Sequence, residues 1–166
     1  MLRVGINGFG RIGRAIFRSN LKNKYFDVVA INEINQNKDN IVYQLNYDTL
    51  YGQLDRKYSC IDNYIFNGNS KVRLFNEKKN DFVDWDSENV DIIIDSSGIL
   101  DNVLRSYTAI KNKKVKKIIV THSPDEVDFT LVLGANHEKL DAQRHLLISS
   151  SICDATAIGP VLKIVK

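Results

Sequence analysis

The stretch LRVGINGFGRIGRAIFRSNLKNK, residues 2–24, decides the reading of the fold. Leu2 to Ile6 is a short apolar run of strand length, and Gly8-Phe9-Gly10-Arg11-Ile12-Gly13 follows it directly. Arg11 to Lys24 then carries Ile12, Ala15, Ile16 and Leu21 near one face of a helix. In that context each glycine has a mechanical task. The first permits a tight turn, the second lets a pyrophosphate approach bare backbone, and the third lets the helix pack closely on the strand. The helix N-terminus then offers free N–H groups and a partial positive charge to an anion.

Glu33 lies about 20 residues past Gly13, at the end of a second apolar run from Val28 to Ile31. A carboxylate there accepts hydrogen bonds from an adenosine ribose and repels a ribose 2′-phosphate, which predicts NAD in preference to NADP. Three glycines in a purely structural turn are the plainer alternative.

Further apolar runs rich in β-branched residues recur at Val90 to Ile94, Ile118 to Val120, Thr130 to Leu133 and Leu146 to Ile148. Runs of this kind suit strands covered on both faces, hence a parallel sheet with helical crossovers. Asn102 to Lys113, with Val103, Tyr107 and Ile110, predicts a second crossover helix. The class is α/β. From Lys57 to Phe75 the pattern changes: Tyr64, Phe66, Val72 and Leu74 alternate around Asn67-Gly68-Asn69, which predicts an antiparallel hairpin inserted in the sheet. Cys153 to Lys166 has Ala157, Ile158, Val161, Leu162 and Val165 at helical spacing, with Pro160 near its first turns. That pattern stops with no glycine or other cap behind it, so a longer chain is expected.

Composition narrows the class. The chain has 166 residues, 43% hydrophobic and 26% charged, which suits one ordinary globular unit and excludes a disordered or collagen-like chain. Cys60 and Cys153 form no disulfide framework and no zinc-ligand spacing, so both read as thiols and no metal is expected. No apolar stretch has the roughly 20 residues needed to span a bilayer, and the start lacks the layout of a signal peptide, so a cytoplasmic protein is expected. The net charge of +3 falls short of a dedicated nucleic-acid binder. Lys111, Lys113, Lys114, Lys116 and Lys117 crowd one segment, read first as a solvated helix end and second as a phosphate-binding patch.

GINGFGRIGR at 5–14 resembles the opening of glyceraldehyde-3-phosphate dehydrogenases. YDTLYG at 47–52, VDIIIDSSGIL at 90–100, KKIIVT at 116–121, GANHEKLD at 134–141 and ISSSICDATAIGPVLKIV at 148–165 resemble later motifs of that family in order. The resemblance implies a Rossmann-type, doubly wound NAD-binding domain over residues 1–152. Residues 153–166 would begin the helix that leads into a second, substrate domain, in a cytoplasmic homotetramer of glycolysis. It also implies that Asn7, Gly8, Phe9, Gly10, Arg11 and Ile12 line the NAD pyrophosphate, Asn32 and Glu33 the adenosine ribose, and Lys78 the adenine side. Ser97, Gly98 and Thr121 would flank the nicotinamide. Cys153 would be the nucleophile that attacks a phosphorylated aldehyde to give a thiohemiacetal, which hydride transfer to NAD converts to a thioester that phosphate or water resolves, as in an aldehyde dehydrogenase of the phosphorylating type. A helix N-terminus favours the thiolate. The family's general-base histidine would lie in the second domain, so His122, His137 and His145 are not assigned that task, and the isolated chain is expected to be inactive.

One motif departs from the family. Where the family reads SCTTN, this chain reads Ile152-Cys153-Asp154-Ala155-Thr156. Asp154 places a carboxylate where the resemblance expects a hydroxyl that helps bind phosphate. Two outcomes stay open: an acyl-enzyme released by water, or a relative that binds NAD without efficient turnover. Asn32-Glu33 and Thr121-His122 also resemble the erythrose-4-phosphate dehydrogenase branch. A non-catalytic nucleotide- or RNA-binding module using the lysine segment is the alternative from another class.

Overall fold

A computed structural model describes residues 1–68, 70–112, 114–150 and 153–165. The chain opens with β1 (Arg3–Asn7), α1 (Arg11–Asn23) and β2 (Asp27–Asn32). Next come α2 (Lys38–Asn46) and an antiparallel ribbon of β3 (Tyr47–Asp48) with β4 (Gly52–Gln53). β5 (Ser59–Ile61), β6 (Tyr64–Phe66) and β7 (Lys71–Phe75) precede two 3-10 turns, Asn80–Phe82 and Trp85–Glu88, and then β8 (Ile92–Asp95). α3 (Leu100–Leu104), α4 (Ser106–Asn112), β9 (Lys117–Val120), β10 (Phe129–Thr130), β11 (Leu147–Ser149) and α5 (Cys153–Val165) follow.

Among the described residues nine strands form one sheet in the order β10-β11-β9-β8-β1-β2-β7-β6-β5. Neighbours from β10 through β7 are parallel, and β7–β6 and β6–β5 are antiparallel. The chain runs from β1 outward to β2 and β7, then returns to β8 on the other side of β1. This is the doubly wound, Rossmann-type α/β arrangement, and its reversal point opens a crevice beyond the C-terminal ends of β1 and β8.

The period of two along β2 feeds two buried layers. Ile31 packs with Ile6, Phe17, Ile41, Leu45 and Val72, so α1 and α2 cover one face. Ala30 joins Trp85, Ile93, Val103, Ala109 and Ile118, so α3, α4 and the second 3-10 turn cover the other. Each large aliphatic side chain fully buried there contributes roughly 1.5–3 kcal/mol.

Several elements differ from the sequence expectation for identifiable reasons. α1 buries Gly13, Phe17 and Asn20, while Ile12 is 54% exposed. The close approach at Gly13 and the Asn20 amide, which clasps Phe26 N and O, set its rotation. The segment expected as one helix over 102–113 divides at Arg105. There buried Ser106 returns its hydroxyl to the Asn102 carbonyl (3.0 Å), a contact that bends helices. The expected hairpin is a three-stranded meander, because Asp62 adopts a left-handed conformation and adds β5. Its inward residues are Ile65, Val72 and Leu74, with Tyr64 and Phe66 on the opposite face. Of Thr130 to Leu133, Thr130 pairs with β11 and Leu131 N donates to Ser149 O (2.8 Å), after which Asn136 captures Val132 N and Thr130 O and turns the chain away.

α5 rests on the body through a narrow seam. A methyl at Gly159 would lie 3.2 Å from Ala135 Cβ, one at Gly134 3.2 Å from Pro160 Cγ, and Lys163 pairs with Glu138 at 3.2 Å. Pro160 sits in the helix interior rather than its first turns, and no α5 residue is buried. The expected division at residue 152, together with Lys113 and Lys166, lies outside the described residues. Among the described residues no helix is long and apolar enough to cross a membrane.

Candidate functional site

The loop between β1 and α1 is pinned on both sides. Gly8 N donates to Asn32 O (2.8 Å), and Ser96 Oγ donates to Gly8 O (2.6 Å). Gly8 has φ +87°, and a methyl there would lie 2.6 Å from Ser97 N and Cα. A methyl at Gly13 would collide with the Gly8 carbonyl oxygen. Gly10 is different: it caps α1 with φ −69°, and a methyl there would meet nothing within 4 Å. No side chain caps α1, so nothing from the protein's side chains competes for its first-turn amides.

Beside this loop lies a cleft of about 160 Å³, whose lining includes Asn7, Gly8, Gly10, Asn32, Glu33, Lys78 and Ser97. It also includes Ile34, Glu77, Ser96, Ile99 and Asn102, which sequence reasoning did not single out. A larger concavity of about 730 Å³ lies behind α1, between Ser19, Tyr25 and Leu54, and shares no residue with the glycine loop. The remaining expected positions stand apart from the cleft lining. Phe9 turns its ring into the core, edge-on to Phe17 at 5.7 Å, while Arg11 and Ile12 are exposed. Gly98 is exposed with φ +69°, and Thr121 sits just past β9, its amide on Asp95 O.

The cleft's polar groups are extensively paired. Asn32 is 3% exposed; its Nδ2 donates to Asn7 Oδ1 and Glu77 O (both 2.8 Å), and its Oδ1 accepts from Glu77 N (2.8 Å). Its amide braces the cleft floor with both donors and an acceptor already engaged. Glu33 Oε2 accepts from Phe9 N (2.7 Å) and Oε1 from Asn35 N (3.0 Å), which holds the carboxylate over the glycine loop. An anionic wall thus stands at the end of β2, and an open glycine stands at the start of α1.

Cys153 is exposed and opens α5, followed by Asp154 in the first turn. Cys60 lies half-buried on the edge strand β5, and desolvation pushes its thiol above the ordinary range. Of the histidines, His137 Nδ1 accepts from Gly134 N (3.0 Å), and His145 accepts from Asp141 N (3.0 Å) and stacks on Phe129. Two lysines of the segment have partners within the chain. Lys116 pairs with Asp91 at 2.7 Å, and Lys117 donates to the Ala142 and His145 carbonyls.

The family model of the glyceraldehyde 3-phosphate dehydrogenase NAD binding domain matches residues 2–103. The chain belongs to the glyceraldehyde-3-phosphate dehydrogenase family. It is 33% identical to glyceraldehyde-3-phosphate dehydrogenase 1 of Bacillus cereus over 100% of this chain and 49% of that protein. To the glyceraldehyde-3-phosphate dehydrogenase of Phytophthora infestans it is 34% identical, over 99% of this chain and 49% of that one. For the Geobacillus stearothermophilus enzyme the identity is 32%, over 98% and 48%. The chain spans about half the length of these glyceraldehyde-3-phosphate dehydrogenases. NAD is the cofactor of this domain family. The open face at Gly10, the uncapped α1 and the Glu33 carboxylate suit an adenine dinucleotide whose pyrophosphate lies on backbone and whose ribose meets an acid.

Proposed function

We propose that this chain is the NAD-binding half of a glyceraldehyde-3-phosphate dehydrogenase-type oxidoreductase that oxidises a phosphorylated aldehyde. The observation that carries the proposal is the juxtaposition at Gly10. Open space stands over its Cα beside an uncapped helix start, and the Glu33 carboxylate is fixed 2.7 Å from the next amide back. In this reading Gly10, Arg11 and Ile12 supply backbone to the pyrophosphate, Glu33 faces the ribose, Lys78 flanks the adenine, and Ser97, Gly98 and Thr121 flank the nicotinamide. Bound NAD would supply a hydride acceptor.

Cys153 is the nucleophile position, supported by its exposure at the head of α5. Asp154 beside it disfavours an incoming phosphate by charge, so release of the acyl group by water is the favoured course. Residues 153–166 lead toward a second domain that brings the substrate pocket and the base, and the whole protein is a homo-oligomer. Against the RNA-binding alternative, Lys116 already pairs with Asp91 and Lys117 with backbone carbonyls.

The test compares NAD with NADP by equilibrium binding, on the parent and on Glu33→Gln, which keeps an acceptor for the Phe9 amide but removes the charge. The parent should prefer NAD, and the variant should lose most of that preference. Equal affinity in the parent would contradict the role of Glu33. NADH formation by this chain alone, with glyceraldehyde 3-phosphate or erythrose 4-phosphate, should be undetectable, because orientation and base are divided between two domains.

A further inference from the structure

A line of hydrogen bonds, buried except around Ser97, leads from the cleft floor to Trp85. Asp95, with no exposed surface, accepts from Asn7 Nδ2 (2.8 Å), Ser97 N (3.0 Å) and Ser97 Oγ (2.7 Å). The Ser97 hydroxyl spends its one proton on Asp95, so toward Asn102 Nδ2 (3.0 Å) it acts as acceptor. Asn102 is 3% exposed, and its Oδ1 accepts from the Asn80 amide (3.0 Å). Asn80, through its carbonyl and its Oδ1, accepts from Trp85 Nε1 at 3.0 Å each. Trp85 is fixed at its other end, since a methyl at Gly5 would lie 2.6 Å from its ring.

We propose that Asn102 is a positioning residue for the dinucleotide: it sets the Ser97–Gly98 turn that borders the cleft and ties that turn to Trp85. This rests on the reading of the cleft as an NAD site. The position requires a neutral group that donates to Ser97 Oγ and accepts from Asn80 N at once, and a carboxamide does both. Alanine would leave the buried Asn80 amide without its acceptor and leave the Ser97 hydroxyl held only by Asp95 and by Ile99 N (3.3 Å). Aspartate would keep the acceptor for Asn80 while removing the donor to Ser97 and bringing a second carboxylate toward Asp95. Asn102 comes from α3, outside the glycine motif, and it holds Ser97 in the one hydroxyl orientation that Asp95 also selects. A dinucleotide that engages the Ser97–Gly98 turn must therefore work against, or with, a chain of bonds ending at the protein's single tryptophan.

The experiment titrates the parent, Asn102→Asp and Asn102→Ala with NAD. Calorimetry and Trp85 emission, corrected for nucleotide absorbance, are followed in parallel, and a urea midpoint is measured for each protein. The parent should release heat and change its emission along the same binding curve. Both variants should bind between about three- and tenfold more weakly, the worth of one hydrogen bond, with the emission response lost. Variants that lose urea stability but bind NAD like the parent would overturn the assignment. So would a parent that binds NAD by calorimetry with unchanged Trp85 emission, an arm that needs no variant to fold. Absence of any heat in the parent would instead overturn the NAD reading, and the assignment with it.

Discussion

A methyl group added at Gly13 would collide with the Gly8 carbonyl oxygen, and one added at Gly8 would press on the Ser97 backbone, whereas one added at Gly10 would touch nothing. Substitution should therefore divide the motif into two classes. Gly13→Ala should destabilise the fold by about 1–3 kcal/mol, the usual range for overpacking against atoms that cannot yield. Gly8→Ala should do so by a similar amount, through strain at φ +87°. Thermal melts of both variants against the parent measure this, and unchanged midpoints would mean that the loop is looser than described. The two cysteines give a second prediction at this scale. Cys153 is exposed, while burial raises the thiol of Cys60, so iodoacetamide at pH 7 should modify Cys153 first, with Cys60 catching up as pH rises. Adducts mapped by mass spectrometry decide it; faster labelling of Cys60 would contradict it. The glycine spacing and Glu33 were legible from sequence because their mechanism is local. Asn102, Glu77 and Asp95 were not, because their value lies in partners up to 88 residues away in the chain.

At the level of elements, the β1–α1–β2 unit and the alternating β6–β7 pair were legible because a strand's period or a glycine turn marks each one. α2 carries a weak sequence signal: Ile41, Val42 and Leu45 give it only a short apolar face, and its start is marked by Asn37, whose side chain accepts from Asn40 N. The division of α3 from α4 depends on a buried hydroxyl, Ser106, that no periodicity reveals. α4 is in turn tied to the strand end at β11 by the Tyr107 hydroxyl on Asp128 Oδ1, while Asp128 Oδ2 accepts from Leu146 N (2.7 Å) and Leu147 N (2.9 Å). Burial alone would raise Asp128, but the Tyr107 hydroxyl and the two amides hold its carboxyl below the ordinary range. Its stabilising contribution is therefore full above about pH 4 and lost as pH falls below that. Burial and the same contact push Tyr107 up to about 12, so its contribution is full below about pH 10 and lost as pH climbs toward 12. Tyr107→Phe should cost about 0.5–1 kcal/mol near pH 7 and flatten both limbs in urea unfolding. Limbs identical to the parent's would show the contact to be idle.

Across the whole molecule, seven parallel strands place β1 and β8 side by side with their loops converging on one crevice, lined by Asn7, Gly10, Asn32, Glu33 and Ser97. α5 carries Ile158, Val161, Leu162, Ile164 and Val165, all at least 54% exposed. Contiguous apolar surface of this kind marks an interaction site. Sedimentation of this chain should therefore show association that Leu162→Glu with Val165→Glu removes; a monomeric parent would contradict it. In the proposed reading, the crevice at Gly10 receives NAD through bare backbone. Calorimetric titration with NAD of the parent and of Gly10→Val, whose Cβ would meet nothing within 4 Å, tests this. The parent should bind saturably, and a Gly10→Val variant that remains folded should not. Equal binding by that folded variant would contradict it.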